Sequence, residues 1–185
     1  VWVNQQSTLN FPQNIASADR TLSLFGEAYF EVAPQKDRPF IIELNGAKVE
    51  VLGTAFNVRS YPNRPEIEVT VSHGKVRFTS VETQKSWELT ANDQIVFNRQ
   101  SGAEKLRKDN NLWALAWQTN ELNFDRTPLS IALPVMERYY NITITFDNPQ
   151  IANCNFTGNF KGETAAEALA VLARSFDLEL QNPSD

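Results

Sequence analysis

Strict alternation of side-chain character over residues 20–32 constrains this chain more than any other feature. The members of one face are Leu22, Leu24, Gly26, Ala28, Phe30 and Val32, and those of the other are Ser23, Phe25, Glu27, Tyr29 and Glu31. A period of two over this length predicts a half-buried β-strand. The pattern ends at residues 37–39, because the proline there is poorly tolerated inside a central strand.

Turn signals divide the following segment into further strands. Asn45-Gly46 separates two alternating runs and predicts a two-residue hairpin. His73-Gly74 predicts a second hairpin between residues 66–71 and 76–80. Its register would pair like with like: Val71 with Val76, Val69 with Phe78, and Thr70 with Arg77.

Residues 86–89 and 94–98, joined by Ala91-Asn92-Asp93, predict a last strand pair. Many short strands at regular spacing, without a helical pattern, indicate an all-β antiparallel sandwich or roll of the jelly-roll type. We assign this domain to residues 1–105 and a connector to residues 106–119.

Residues 120–185 contain an internal repeat with an offset of 36 residues, in which Phe124 corresponds to Phe160. Each copy carries an apolar stripe with the spacing i, i+4, i+7, i+11, which is one face of a helix. The stripes are Leu129, Leu133, Met136 and Tyr140 in the first copy and Ala165, Leu169, Leu172 and Phe176 in the second. A strand pattern follows each helix, at residues 141–146 and 177–180. The sequence therefore predicts a small α+β domain with a duplicated β-α-β unit.

The predicted helices have recognisable start signals. Thr127 is a candidate N-cap with Pro128 at the first helical position, and Thr164 with Glu167 forms a capping box. Pro134 lies inside the first helix and is expected to kink or shorten it.

Composition narrows the classes of function. The net charge of −5 argues against a nucleic-acid binder, and no apolar run reaches the length of a membrane-spanning helix. The single cysteine, Cys154, forms neither an internal disulfide nor a thiolate metal site. Nucleotide-binding, hydrolase and metal-ligand motifs are absent from the sequence, so we expect no cofactor, no metal and no enzymatic activity. The abrupt start in an alternating stretch suggests a piece of a longer chain.

Two polar candidates are better explained without catalysis. Glu27 and Glu31 are four residues apart on a strand, or roughly 13 Å, whereas glycosidase carboxyl groups lie about 5–9.5 Å apart. We therefore interpret both as solvated or rim carboxylates. His73, the only histidine, is interpreted as a turn residue.

The aromatic residues leave an alternative open. The four tryptophans could line a sugar-binding platform, although aromatic side chains in β domains more often fill the core. Trp113 and Trp117 are four residues apart and share a face on a helical turn. We interpret these two as anchors between the domains.

The Gly53-Thr54 peptide bond is a candidate for self-cleavage. A threonine hydroxyl can attack the carbonyl carbon before it, and the preceding glycine allows the strained geometry such an attack needs. The competing interpretation is a bulge or corner where glycine bends the strand.

Five ordered motifs resemble the FecR family. They are VWVNxxSTL at the start, FGEAYFEV at 25–32, RPF at 38–40, VEVLGTAFNV at 49–58 and a histidine-glycine turn within VxVSHGKV. Residues 117–185, with WxxNELNFDxTPL and MERYYNI, resemble the small domain that follows FecR domains in Bacteroidetes proteins. Its duplicated layout is similar to the secretin and TonB short N-terminal domain.

The resemblance implies the periplasmic region of a single-pass inner-membrane anti-sigma factor. The missing parts would be a cytoplasmic segment that holds an extracytoplasmic-function sigma factor and a transmembrane helix. The implied partner is the signalling domain of a TonB-dependent outer-membrane transporter. Some family members self-cleave at a Gly-Thr bond, and Gly53-Thr54 is the matching position. The rival hypothesis is a carbohydrate-binding β-sandwich that senses glycan directly.

We expect recognition through a sheet edge of the C-terminal domain, in the manner of strand addition. The candidate is the strand at residues 141–146, because Thr143 and Thr145 are small and polar on one side.

Overall fold

The structure is a computed structural model that describes residues 1–11, 20–108 and 112–181. The chain forms two compact units, Val1–Gln118 and Thr119–Asp185. Each unit is described by itself below.

The described residues of the first unit form eleven strands. They are β1 (Trp2–Val3), β2 (Thr8–Asn10), β3 (Arg20–Glu31), β4 (Phe40–Leu44), β5 (Ala47–Val51), β6 (Ala55–Ser60), β7 (Glu66–His73), β8 (Lys75–Ser80), β9 (Ser86–Thr90), β10 (Asp93–Asn98) and β11 (Glu104–Lys108). A 3-10 turn at Trp113–Leu115 then runs into the one-turn helix α1, Ala116–Thr119.

Strand β3 joins the strands into one curled sheet with the order β11-β10-β7-β6-β3-β4-β5-β8-β9. Its first residues pair in parallel with β4, and residues 26–31 pair antiparallel with β6. The strands β1 and β2 also pair with β3. The sheet is therefore mixed, and the prediction of a purely antiparallel domain was wrong at the β3–β4 pair. A loop of eight residues links these two strands and brings the chain back to the end of the sheet where β3 begins. Strand β4 therefore runs in the same direction as the first residues of β3.

The core lies between the two halves of the curled sheet. The predicted inward face of β3 is confirmed at Leu22, Leu24, Ala28 and Phe30, which are all buried. Phe30 stacks on Phe56 with ring centroids 5.3 Å apart. Burial of such rings is the main stabilising contribution in a domain of this kind.

One predicted hairpin is confirmed and two are wrong. Strands β4 and β5 pair around Asn45-Gly46, with Leu44 opposite Ala47. Strand β7 instead pairs with β6 and β10, while β8 pairs with β5 and β9, so the His73-Gly74 step passes from one half of the sheet to the other. For the same reason β9 and β10 are not partners. The apolar faces of both halves pack into one core. Alternation of apolar and polar residues is therefore compatible with the predicted pairing and with the observed one.

Residues 119–181, the described part of the second unit, form two strands and two helices. They are β12 (Glu121–Pro128), α2 (Leu129–Tyr140), β13 (Asn155–Lys161) and α3 (Ala165–Ser175), with a 3-10 turn at Pro149–Asn153. The two strands pair antiparallel. Phe124, Phe156 and Phe160 form a ring cluster with centroids 5.8–6.3 Å apart. Within the described ranges, no helix is long and apolar enough to cross a membrane.

The repeat is visible in the strand, the helix and the helix C-terminus of each copy. Asn141 and Asp177 both adopt left-handed backbone conformations, with φ of 54° and 53°. The next amides, of Ile142 and Leu178, donate to the carbonyls of Glu137 and Ala173 at 3.1 and 2.9 Å. This bond is that of a Schellman C-cap.

The second strand of each predicted β-α-β unit is not formed. Residues 141–146 and 177–180 pair with no strand of the described chain. Their alternating sequence is typical of a strand, but the pattern does not reveal whether a neighbouring strand is present.

The helix start predictions were half right. Thr164 and Glu167 form the predicted capping box, whereas the first helix begins after Pro128, and Thr127 belongs to β12. Pro134 does not interrupt α2. The carbonyl group four residues earlier, which loses its helical donor, belongs to the exposed Ser130, where water can satisfy it.

Candidate functional site

Gly53 and Thr54 lie where the chain bends between β5 and β6. A Cβ atom on Gly53 would lie 2.6 Å from the Cα atom of Pro34, so this position has no room for a side chain. Thr54 is 3% exposed, and its carbonyl accepts a hydrogen bond from the amide of Val32 at 2.9 Å. The bend is therefore packed from both sides.

The hydroxyl of Thr54 bridges the backbone of Lys75. Oγ1 donates to the Lys75 carbonyl at 2.7 Å and accepts from the Lys75 amide at 3.3 Å. Gly74, with φ of +88°, packs against this bridge, because a Cβ atom there would lie 2.9 Å from Thr54 Oγ1. The bridge ties the β5–β6 bend to the point where the chain crosses between the halves of the sheet.

His73 lies in the same region without activating the hydroxyl. It is exposed and lines a shallow cleft of about 150 Å³ with Pro34, Gly53 and Thr54. Self-cleavage requires a base to remove the hydroxyl proton, but Thr54 donates that proton to a backbone carbonyl. The geometry therefore supports a structural role for Thr54.

We expect Thr54→Val to lower the free energy of unfolding by about 1–3 kcal/mol, because the amide and carbonyl of Lys75 lose the buried hydroxyl that bridges them. Urea denaturation measures this loss, with Thr79→Val as a control at a more exposed hydroxyl. The wild-type chain is expected to remain one species of 20.9 kDa by intact mass. Fragments that form in the wild type and not in Thr54→Val would contradict the structural role.

The second candidate is the segment after α2, at residues 142–146. Thr143 and Thr145 are exposed, while Ile142, Ile144 and Phe146 are half-buried, which is the alternation of an extended chain. The amide of Ile142 donates to the Glu137 carbonyl, and the amide of Ile144 donates to Glu137 Oε1 at 2.7 Å. One edge of this segment is therefore held by the last turns of α2.

Nothing in the described part of the chain pairs with the opposite edge of the segment. Amides of alternate residues in an extended chain point to opposite edges, so those of Thr143 and Thr145 point away from Glu137. Neither amide has a hydrogen-bond partner within the described part of the chain. Such an edge is a template for pairing with another strand.

The sequence interpretation missed a buried polar cluster, Glu27 and Asn57, on the face of the first unit's sheet that lies opposite the apolar core. Glu27, predicted to be solvated, is 4% exposed, and Glu31 is exposed as expected. Asn57 is 1% exposed and accepts a hydrogen bond from Trp117 Nε1 at 3.1 Å. Trp117 therefore anchors the end of the first unit to its own sheet. The one available signal was Asn57, a polar residue between the apolar residues of a strand.

Groups that could hold a metal are absent from the described residues: no cluster of three or more His, Cys, Asp or Glu side chains is present there. Cys154 is exposed. Burial raises the pKa of Tyr140 to about 12, with smaller contributions from Tyr139, Glu163 and Glu167. This phenol therefore stays protonated at neutral pH.

Comparison with known proteins identifies both units. Residues 1–77 match the FecR protein family, and residues 121–182 match the FecR C-terminal family. No curated protein sequence matched the chain.

Two crystal structures of candidate anti-sigma factors from Parabacteroides distasonis ATCC 8503 are similar to the whole chain. One, at 1.65 Å resolution, is 27% identical with a TM-score of 0.70, covering 98% of this chain and 85% of that one. The other, at 2.50 Å, is 26% identical with a TM-score of 0.66, covering 100% and 89%. Since both units match and the fold agrees along the chain, this protein belongs to the FecR family and has the signalling role of an anti-sigma factor.

Proposed function

We propose that this chain is the periplasmic region of a single-pass inner-membrane anti-sigma factor. It binds the signalling domain of a TonB-dependent outer-membrane transporter and thereby regulates an extracytoplasmic-function sigma factor, which is held by a cytoplasmic segment of the longer protein. The family membership supports the regulatory part of this proposal. The open edge at Thr143 and Thr145 supports the part that concerns a protein partner.

The open edge is the observation that carries the proposal. The Thr143 and Thr145 amides, which have no partner among the described residues, lie next to exposed, small side chains, so a partner strand can approach without removing bulky groups. Glu137 holds the other edge, which keeps the segment extended before binding. Preorganisation of this kind reduces the entropy lost on association.

Strand addition also suits a reversible signal. Main-chain hydrogen bonds give affinity, and alternate side chains give specificity. A short strand buries little area, and interfaces in transient signalling encounters are small. We therefore expect a modest affinity for the transporter's signalling domain.

Thr145→Pro tests the edge, because proline removes the amide at this position while its φ suits an extended chain. Ile144 before it is in an extended segment, which proline also requires of its preceding residue. Isothermal titration calorimetry with the signalling domain of the transporter encoded beside this protein is expected to show at least about tenfold weaker binding. The matched control Thr145→Val keeps the amide and is expected to bind within about threefold of the wild type.

Wild-type affinity in Thr145→Pro, with a folded C-terminal unit by circular dichroism, would remove this edge from the proposal. Equal losses in Thr145→Pro and Thr145→Val would assign recognition to the side chain instead of the backbone.

The rival function, direct glycan sensing, requires exposed and coplanar aromatic rings. Trp87 is buried against Phe78 and Phe97. Trp2 is 44% exposed, but its ring is tilted by 48° against that of Tyr29. Neither arrangement favours a sugar platform.

A further inference from the structure

Glu27 is a buried carboxylate that the proposed function does not use. It lies on β3, on the face of the sheet opposite the apolar core, between β1 and β6. A buried charge is costly unless it is hydrogen-bonded and paired. Contacts with Glu27 come from two separate parts of the first unit.

The first group of contacts comes from residues 4–7, directly after β1. Asn4 Nδ2 donates to Glu27 Oε2 at 3.0 Å, and the Asn4 amide donates to the Glu27 carbonyl at 2.9 Å. The Glu27 amide in turn donates to Ser7 Oγ at 2.8 Å. Residues 4–7 are thus held to the sheet at both the backbone and the side chain of Glu27.

The second group of contacts leads to the end of the unit. Asn57 Nδ2 donates to Glu27 Oε1 at 2.9 Å, while Asn57 Oδ1 accepts the indole hydrogen of Trp117 at 3.1 Å. A side-chain amide is rigid and planar, so a rotation of Asn57 that breaks one of these bonds also disturbs the other. Arg59 flanks the carboxylate with its Nε 3.9 Å from Oε2 and also pairs with Glu68 at 2.7 Å.

Trp117 belongs to a segment that we call the docked segment, residues 113–118. Ala114, Leu115 and Ala116 of this segment are buried. Trp117 binds the sheet at Asn57, which lies opposite Tyr29 and Thr70 on the neighbouring strands. Release of Trp117 from Asn57 exposes polar groups that water can hydrate.

We propose that Glu27 couples the docked segment to the N-terminal strand β1. Release of Trp117 frees Asn57, weakens the hold on the carboxylate and loosens residues 4–7. The reverse holds with the same coupling free energy, as thermodynamic linkage requires. Glu27 and Asn57 are positioning residues in this scheme, which is independent of the identity of any partner.

A double-mutant cycle with Asn4→Ala and Trp117→Phe tests the coupling. Asn4 binds Glu27, whereas Trp117 binds a different residue, Asn57, and residues that share no partner usually give additive effects. Urea denaturation measures the equilibrium constant of unfolding of each variant. We expect Asn4→Ala to raise this constant in both backgrounds, by a factor that is at least about threefold smaller in Trp117→Phe than in the wild type. Glu27→Gln is expected to abolish this difference.

Hydrogen exchange provides a second readout that global destabilisation does not reproduce. In Trp117→Phe, the amides of residue 4 and Glu27 are expected to exchange about tenfold faster than in the wild type, while those of β8 and β9 change little. The matched control Trp87→Phe removes a tryptophan from the core of the same unit and is expected to accelerate all strands of the sheet together. Additive effects in the cycle, or identical exchange patterns in the two tryptophan variants, would overturn the proposal.

Discussion

Replacing Phe56 with alanine is expected to lower the free energy of unfolding of the β unit by about 3–5 kcal/mol. Phe56 is fully buried and stacks on Phe30 at an interplanar angle of 18°. The loss combines the missing transfer free energy of the ring with the cavity that remains between the halves of the sheet. Since domains are stable by about 5–15 kcal/mol in total, the variant is expected to be close to unfolding at room temperature.

Urea denaturation followed by circular dichroism measures this effect. Phe25→Ala is the matched control, because Phe25 lies on β3 and is 41% exposed, and its loss is expected to cost about 0.5 kcal/mol. Similar losses for the two phenylalanines would contradict the assignment of the core to the space between the halves of the curled sheet.

The second large effect is expected for Gly26→Ala, which should lower the free energy of unfolding by about 3 kcal/mol or more. Gly26 has φ of +112°, and a Cβ atom there would lie 2.3 Å from Ser7 Oγ and 2.7 Å from Ser7 Cα. Displacement of Ser7 would also break its hydrogen bond with the Glu27 amide. Backbone strain at residue 26 and steric collision with Ser7 therefore both contribute to the expected loss of stability.

Gly102→Ala separates these two causes. Gly102 has φ of +69°, and a Cβ atom added there would meet no described atom within 4 Å, so this position experiences strain alone and its substitution is expected to cost about 1 kcal/mol. Thermal or urea denaturation of both variants gives the comparison. An equal cost at the two positions would show that residues 4–7 do not pack against Gly26 as described.

Local patterns predicted many elements of this fold but not the partners of the strands. The alternation around Leu24 and Phe30 identified a strand and its buried face, and Asn45-Gly46 identified a hairpin. The same alternation suggested a hairpin at His73-Gly74, where the chain crosses between the halves of the sheet. Pairing depends on contacts distant in sequence, such as the bridge from Thr54 to Lys75, that no local pattern contains.

In the C-terminal repeat, too, local patterns did not predict strand pairing. The stripe in each helix and the capping box at Thr164 follow from spacing, and the structure has both. The strands predicted at 141–146 and 177–180 have the right alternation, but a strand also needs a neighbour, and none of the described strands is beside them. Alternation thus predicted the extended character of the segment but not its open edge.

The polar cluster around Glu27 could not be predicted from the sequence, for a different reason. A glutamate between alternating residues on a strand is normally exposed, whereas here it is buried, Asn4 and Asn57 bind the carboxylate, and Trp117 binds Asn57. Recognition of that burial requires the positions of Asn4 and Trp117, which are more than a hundred residues apart in sequence.

The central claim is that the chain acts by pairing the edge at residues 143–145 with another protein. Hydrogen exchange measured with and without the transporter's signalling domain tests it most directly. The account predicts fast exchange at the Thr143 and Thr145 amides in the free protein and strong protection of both in the complex. Protection confined to other surfaces, with these two amides unchanged, would contradict it.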